Sequence, residues 1–308
     1  MTINSLDYRH GAVFNGTFRV RHPFSKVAKN GSPFLSFNLE DASGKIRAYS
    51  WAKDVQTSFK DFDCVNLTGK LREFNNSWIV DVHDAELVQS EPKHPLTLIP
   101  RSICPLPALL EQLEDRVKDI SHYAIRSFVE SVLADDEIAF PFISIPASRQ
   151  HHHSIAGGLL QHSLECVVMV SRFIEFPNAE LELGIVGALF HDVGKIRTLK
   201  SVGKLTSTGF VCSHDALTLE VLAPHLRRLD TICPDAAIAL RYLWTWRNGR
   251  RYQPLPLITV AEAIATADRI SSGLNVQEVA YRAQEDWQNF ASFGKNNSFW
   301  RPIMEMRA

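Results

Sequence analysis

No Cys-x-x-Cys pair occurs in this chain. Its five cysteines, Cys64, Cys104, Cys166, Cys212 and Cys233, are odd in number and scattered through 308 residues, which argues against both a zinc ribbon and a disulfide scaffold. No apolar run reaches the length of a membrane-spanning helix, and the N-terminus lacks the pattern of a secretory signal. Charge of one sign is not in excess either: 33 Lys and Arg stand against 34 Asp and Glu, a formal net charge of -1. No global basic field therefore marks a nucleic-acid binder, although a local groove can be basic within a neutral protein. Internal repeats and low-complexity tracts are also missing. What is present is 45% hydrophobic and 22% charged, the composition of a globular protein with one or two cores. The length suggests two domains. These features predict a cytoplasmic protein with reduced thiols and no membrane partner.

The first part reads as β structure. Ala12 to Val20 alternates, and Lys29-Asn30-Gly31-Ser32-Pro33 marks a turn. Phe34 to Asp41, Ile46 to Trp51, Val65 to Leu71 and Trp78 to Val82 supply four further strands, with a second turn at Ala42 to Lys45. A short helix is expected between Asp54 and Phe62. Five strands with a helix after the third is the plan of an OB-fold, a small Greek-key barrel. Such barrels hold single strands through aromatic faces and basic side chains. Lys26, Lys29, Arg47 and Arg72 are the candidate phosphate contacts and Trp51 a candidate stacking face. About half of the barrel aromatics must point inward, because strand side chains alternate.

Prolines at 92, 95, 100, 105 and 107 interrupt regular structure, and beyond them the apolar spacing becomes helical. A boundary falls near residue 100. The expected plan is an OB-fold over 1–90, a proline-containing linker over 91–107 and an all-α domain over 108–308. Helices are expected over Leu106–Lys118 and Tyr123–Ala134. Pro141 to Ser148 reads as an extended break. Helices then continue to about Ala291, with no further strands.

Within the helical part, polar residues recur where apolar ones would be cheaper. Gly157-Gly158-Leu159-Leu160-Gln161-His162 opens a helix that presents His162. Ala188-Leu189-Phe190-His191-Asp192-Val193-Gly194-Lys195 ends an apolar helix in an adjacent His-Asp pair. Asp268 lies in the otherwise apolar run Ala265 to Ile270, where a bare carboxylate is expensive to bury. His214 stands between the last two. Imidazole and carboxylate are ordinary ligands of divalent first-row metals. A single histidine on an apolar helix is more often a core residue, but an ordered set from separate helices has no structural purpose. Lys195, a turn beyond His191, offers a cation for a phosphate oxygen.

His162, His191-Asp192 and Asp268, with Gly194 and Lys195, resemble the HD superfamily of metal-dependent phosphohydrolases over roughly residues 146–285. Over nearly the whole chain, the OB-fold, the proline-containing link, the His-His before Gly157-Gly158 and the His-Asp-x-Gly-Lys stretch look like the YhaM-type 3′→5′ exoribonucleases. That resemblance implies manganese-dependent removal of nucleotides from single-stranded 3′ ends, with Mg2+, Fe2+, Co2+ or Ni2+ as other candidate ions. Ile145 to Glu165 is also similar to the histidine-rich signature of MobH-class conjugative relaxases. The chain departs from the exoribonuclease pattern downstream of His214. The stretch Trp246-Arg247-Asn248-Gly249-Arg250-Arg251 has no histidine where a second metal would be held. One metal held by His162, His191, Asp192 and Asp268 is therefore expected, with His214 as a further ligand.

The same stretch offers Arg247, Arg250 and Arg251 beside Trp244 and Trp246 as phosphate and base contacts. The resemblance makes Asp192 a residue that bridges metal and water. Lys195 and one of His151, His152 or His153, with His152 and His153 preferred, would neutralise charge in the transition state. No serine or cysteine has the local signature of a nucleophile. The reading is a divalent-metal 3′→5′ exonuclease acting on single-stranded RNA or DNA, and a homo-oligomer is compatible with it. Alternatives are an HD phosphohydrolase of mononucleotides and a nucleic-acid-binding or DNA-mobilisation protein of relaxase type.

Overall fold

The computed structural model describes residues 2–51, 59–60, 63–88, 96, 99, 101, 103–149, 153–249, 257–282, 284–294 and 297–302, without the side chains of 247–249. Contacts divide the chain into two compact units, Met1–Pro107 and Ala108–Ala308. Most of the helix expected over Asp54–Phe62 and of the linker expected over 91–107 falls outside the described residues.

The first unit is a closed barrel of β1 (Val13–Val27), β2 (Pro33–Asp41), β3 (Gly44–Ser50), β4 (Cys64–Phe74) and β5 (Ser77–Leu87), in the order β1-β2-β3-β5-β4. Closure follows from the length of β1. Its residues Val13–Arg19 pair with β4 and Arg19–Val27 with β2. The pairing with β2 shifts register between Arg21 and Phe24, where His22 takes a positive φ of 50° and Pro23 cannot donate to a ladder. β3 and β5 run parallel and close the Greek key. This is an OB-fold. The alternation seen in the sequence turns Phe14, Phe18, Phe37, Leu39, Leu71 and Val80 into a core where each is at most 1% exposed. The β2–β3 turn is held by Asp41, whose Oδ1 accepts from Ser43 N and Gly44 N and whose Oδ2 accepts from Ile3 N.

The second unit is helical. In order it comprises α1 (Pro107–Lys118), α2 (Tyr123–Leu133), α3 (Asp136–Ser144), α4 (Gly158–Val170), α5 (Asn178–Phe190), α6 (Lys195–Thr198), α7 (Ser207–Val211), α8 (His214–Ile232), α9 (Pro234–Gly249) and α10 (Val260–Tyr281). Phe128, Phe142, Phe190 and Trp244 form a ring cluster at centroid spacings of 5.8–6.4 Å. Two elements differ from expectation. Pro141 sits inside α3 rather than in a break. Asp135 caps that helix through Glu137 N, and burial of Ile138, Ala139, Phe142 and Ile143 offsets the backbone bond proline cannot make. After α10, β6 (Phe290–Phe293) and β7 (Asn297–Trp300) form a hairpin turning at Gly294, φ 64°. It is short, and its alternation was masked by neighbouring polar residues. Among the described residues no helix is long and apolar enough to cross a membrane.

Candidate metal centre

Three helices bring four donor atoms together. His162 comes from the first turns of α4, His191 and Asp192 from the end of α5, and Asp268 from α10. His162 Nε2 lies 3.2 Å from His191 Nε2, 3.5 Å from Asp192 Oδ2 and 3.4 Å from Asp268 Oδ1. His191 Nε2 lies 3.5 Å from Asp192 Oδ2 and 3.9 Å from Asp268 Oδ1. Ligands bonded at about 2.0–2.2 Å to one ion stand roughly 3–3.6 Å from one another. The spacings suit one cation.

The protons make the same case. His191 Nδ1 is 2.7 Å from the carbonyl of Ala188, so this nitrogen must donate and Nε2 of the neutral ring keeps its lone pair. His162 Nδ1 is 2.9 Å from Ser271 Oγ, and that hydroxyl gives its single proton to Glu165 Oε2 at 2.7 Å. Ser271 must therefore accept from His162 Nδ1, which leaves the Nε2 lone pair of His162 facing inward. Two imidazole lone pairs and two carboxylate oxygens thus converge on one point. Burial also holds the His162 pKa below the ordinary histidine value, against the pull of Asp268, and keeps the ring neutral. Such a constellation is repulsive by itself, and its donors and outer hydrogen bonds are of the kind that could hold a divalent cation.

Backbone contacts fix these helices closely. A Cβ on Gly158 would stand 2.1 Å from the carbonyl of His153, and one on Gly194 would stand 2.1 Å from that of His214. Any side chain would push α4 off the loop before it, or the turn after Asp192 off α8.

The other expected site residues divide. Lys195 Nζ is 2.5 Å from Asp192 Oδ2, is 8% exposed and does not line the cleft at the site. It neutralises Asp192 rather than offering a free cation to a phosphate. Burial would raise the Asp192 pKa, but Lys195 and the histidines hold that carboxyl well below the usual carboxylate range. His214 Nε2 is 3.1 Å from Asp192 Oδ1 and 3.2 Å from Asp215 Oδ1. Burial opposes its charge, yet the bond to Asp192 raises its pKa above the ordinary value. Asp268 is held below the ordinary value by His162 despite burial.

His153 is turned away from the cleft, contrary to expectation. It adopts a left-handed φ of 47°, its side chain is fully buried, and Nε2 lies 3.0 Å from both oxygens of Glu165. It stands behind His162, at the end of the Ser271–Glu165 chain. His151, His152, Arg250 and Arg251 lie outside the described residues, as does the side chain of Arg247.

The cleft at the centre encloses about 270 Å³. Its polar side is His191, Asp192, His214, Asp215 and Asp268, and its apolar side includes Leu243, Trp244, Trp246 and Ile264. Trp244 is pinned by its indole N–H on the carbonyl of Gly187. Glu165, Ser271 and Asp215 were not picked out from the sequence. The available signal was the helical spacing of three that puts Glu165 beside His162 and Ser271 beside Asp268.

On the barrel, Trp51 is 46% exposed and its ring lies 4.8 Å from that of Phe34, and the Tyr49 ring lies 5.9 Å from that of Phe34. Lys26 Nζ and the Arg47 guanidinium both approach the Phe24 ring, at 4.6 and 6.0 Å. Lys29 is exposed. Arg72 departs from this group: Asp81 takes its guanidinium in a two-pronged pair at 2.5 and 3.0 Å, so its charge is already neutralised.

An OB-fold barrel and a helical unit with a His/Asp centre define the class of molecule. Comparisons with known proteins give it relatives. The chain is 24% identical to the 3′-5′ exoribonuclease YhaM of Halalkalibacterium halodurans over 98% of its own length and 97% of that protein's. It is 24% identical to the YhaM of Oceanobacillus iheyensis over 89% and 88%, and 22% identical to that of Listeria monocytogenes over 97% and 98%. The YhaM resemblance thus spans nearly the full chain. A family described as TraI_2, putative helicase, matches residues 109–175. Solved structures with likeness include the second OB-fold domain of replication protein A from Methanococcus maripaludis (16% identity, TM-score 0.25, 30% of this chain, 98% of that one). A small single-stranded DNA-binding protein from Streptomyces coelicolor is similar at 15% identity, TM-score 0.25, 28% of this chain and 99% of that one.

Proposed function

We propose that this chain is a metal-dependent 3′→5′ exonuclease that shortens single-stranded RNA or DNA, with the barrel holding the strand and the helical unit cutting it. The observation that carries this reading is the convergence of four lone-pair donors in a chain that resembles YhaM exoribonucleases from end to end. His162, His191, Asp192 and Asp268 would hold a divalent cation, manganese by resemblance. Such an ion supplies Lewis-acid polarisation of a phosphodiester oxygen and a bound water acidic enough to ionise near neutral pH. Lys195, with the neighbouring histidines, holds the Asp192 carboxyl well below the usual carboxylate range. His214, on the outer oxygen of Asp192 and facing the cleft, extends the polar side as a further ligand or as a cation beside the scissile phosphate. The apolar side, with Trp244 and Trp246, is suited to the sugar and base of a terminal nucleotide. On the barrel, Trp51, Phe34, Lys26, Lys29 and Arg47 have the chemistry for stacking and phosphate contact.

The test is a 5′-labelled single-stranded oligonucleotide with Mn2+. Products that shorten progressively from the 3′ end, lost in Asp192→Ala and in EDTA, support the reading. Hydrolysis confined to nucleoside triphosphates would replace it with a mononucleotide phosphohydrolase, and strand binding without hydrolysis with a binding protein.

A further inference from the structure

One side chain at the centre has no role in the reading above. Cys166 lies one helical turn after His162 on α4, on the same face, and is fully buried. Its Sγ is 4.0 Å from His162 Nε2. One donor atom each from His162, Cys166 and His191 fall within 4.8 Å of one another. A metal bonded at about 2.0–2.1 Å to nitrogen and about 2.3 Å to sulfur spans the 4.0 Å separation at a ligand angle of roughly 130–135°, wider than tetrahedral. The thiol thus shares the interior of the centre with both imidazoles. Of the other cysteines, Cys212 is exposed and Cys104 buried in the first unit.

We propose that Cys166 is a sulfur ligand of the metal centre, and that it biases the site toward borderline-soft ions such as Co2+ or Zn2+ over Mn2+. The proposal rests on the metal-centre reading of His162, His191, Asp192 and Asp268. Coordination replaces the S–H proton by the metal and releases that proton to solvent. Thiolate selects the softer first-row ions, whereas a set of imidazole and carboxylate alone discriminates less strongly against Mn2+. The sulfur makes the centre more selective among first-row ions.

Absorbance during anaerobic Co2+ titration of the EDTA-treated full-length chain tests this without relying on activity. The wild type is expected to develop a near-ultraviolet thiolate-to-cobalt charge-transfer band along with the visible ligand-field bands. Cys166→Ser, which keeps the size of the side chain, should lose the first and keep the second. Cys212→Ala should keep both. The ratio of Co2+ to Mn2+ affinity should fall on the order of tenfold in Cys166→Ser, the low end of what partners around a metal are worth. Ligand-field bands with no charge-transfer band in the wild type would overturn the sulfur ligand and leave the metal centre standing. Absence of any cobalt spectrum in wild type, matching Asp192→Ala, would overturn both.

Discussion

Ser271 Oγ stands between His162 Nδ1 at 2.9 Å and Glu165 Oε2 at 2.7 Å, and the single hydroxyl proton can satisfy only one of them. The carboxylate accepts it, so the imidazole must donate, and the lone pair of His162 is fixed on the side of the candidate metal centre. Glu165 is in turn held by His153, and its pKa is kept low by His153 and Ser271 in spite of burial. Ser271→Ala or Glu165→Gln frees the tautomer. Each should weaken metal binding by about 10–100-fold with no residue of the ligand set altered, as measured by calorimetric titration. Unchanged affinity would mean the chain of bonds does not orient the ring.

Asp192 and Lys195 are both buried and form a close ion pair. Removing only the acid leaves a buried ammonium. Asp192→Asn should therefore destabilise the folded chain by about 3–5 kcal/mol as well as abolish activity. Asp192→Asn/Lys195→Met should recover much of that stability and none of the activity. Urea unfolding monitored by circular dichroism separates the two losses, and a double variant no more stable than Asp192→Asn would contradict the pairing.

Glu182 of α5 caps the start of α2, accepting from Ser121 N at 2.8 Å, Ser121 Oγ at 2.5 Å and His122 N at 3.0 Å. Glu182→Ala should cost about 1–2 kcal/mol. Burial alone would raise the Glu182 pKa, but the Ser121 bonds lower it. A depressed folded value means that its contribution is complete above the ordinary glutamate pKa and disappears as pH falls through the lower folded one. The wild-type and Glu182→Ala melting temperatures should thus converge on acidification, and a gap that persists in acid would refute the linkage.

On the barrel, Trp51→Ala should lose about 1–3 kcal/mol of single-strand affinity if its ring carries one base. Lys26→Ala and Arg47→Ala should each reduce the dependence of binding on salt by roughly one ion. Arg72→Ala should leave that slope nearly unchanged, because Asp81 already neutralises the guanidinium. Fluorescence anisotropy at several salt concentrations reads all four, and a large Arg72 effect would show that the Asp81 pair opens on binding.

The barrel could be read from the sequence because strand alternation and turn residues are local signals. Phe14, Phe37 and Leu71 point inward for the same period-two reason that exposes their neighbours. His162, His191, Asp192 and Asp268 stood out because each is a costly polar residue at a helical position that would otherwise be apolar.

Other features were set by neighbours distant in sequence. Glu165, Ser271 and Cys166 look like ordinary helical residues until α4 and α10 pack together, and only then do they acquire the protons, lone pairs and charges that give them meaning. His153, Lys195 and Arg72 show the reverse case. Each was legible as a free cation or hydrogen-bond donor, and each is taken up by a carboxylate: Glu165, Asp192 and Asp81. Pro141 likewise stays helical because core burial outweighs one missing backbone bond. Sequence by itself determined which chemical groups were available and on which elements. Which of them face the cleft and which are spent on one another was decided by tertiary packing, since a charge or lone pair is defined by the partner a few ångströms away rather than by its position in the chain.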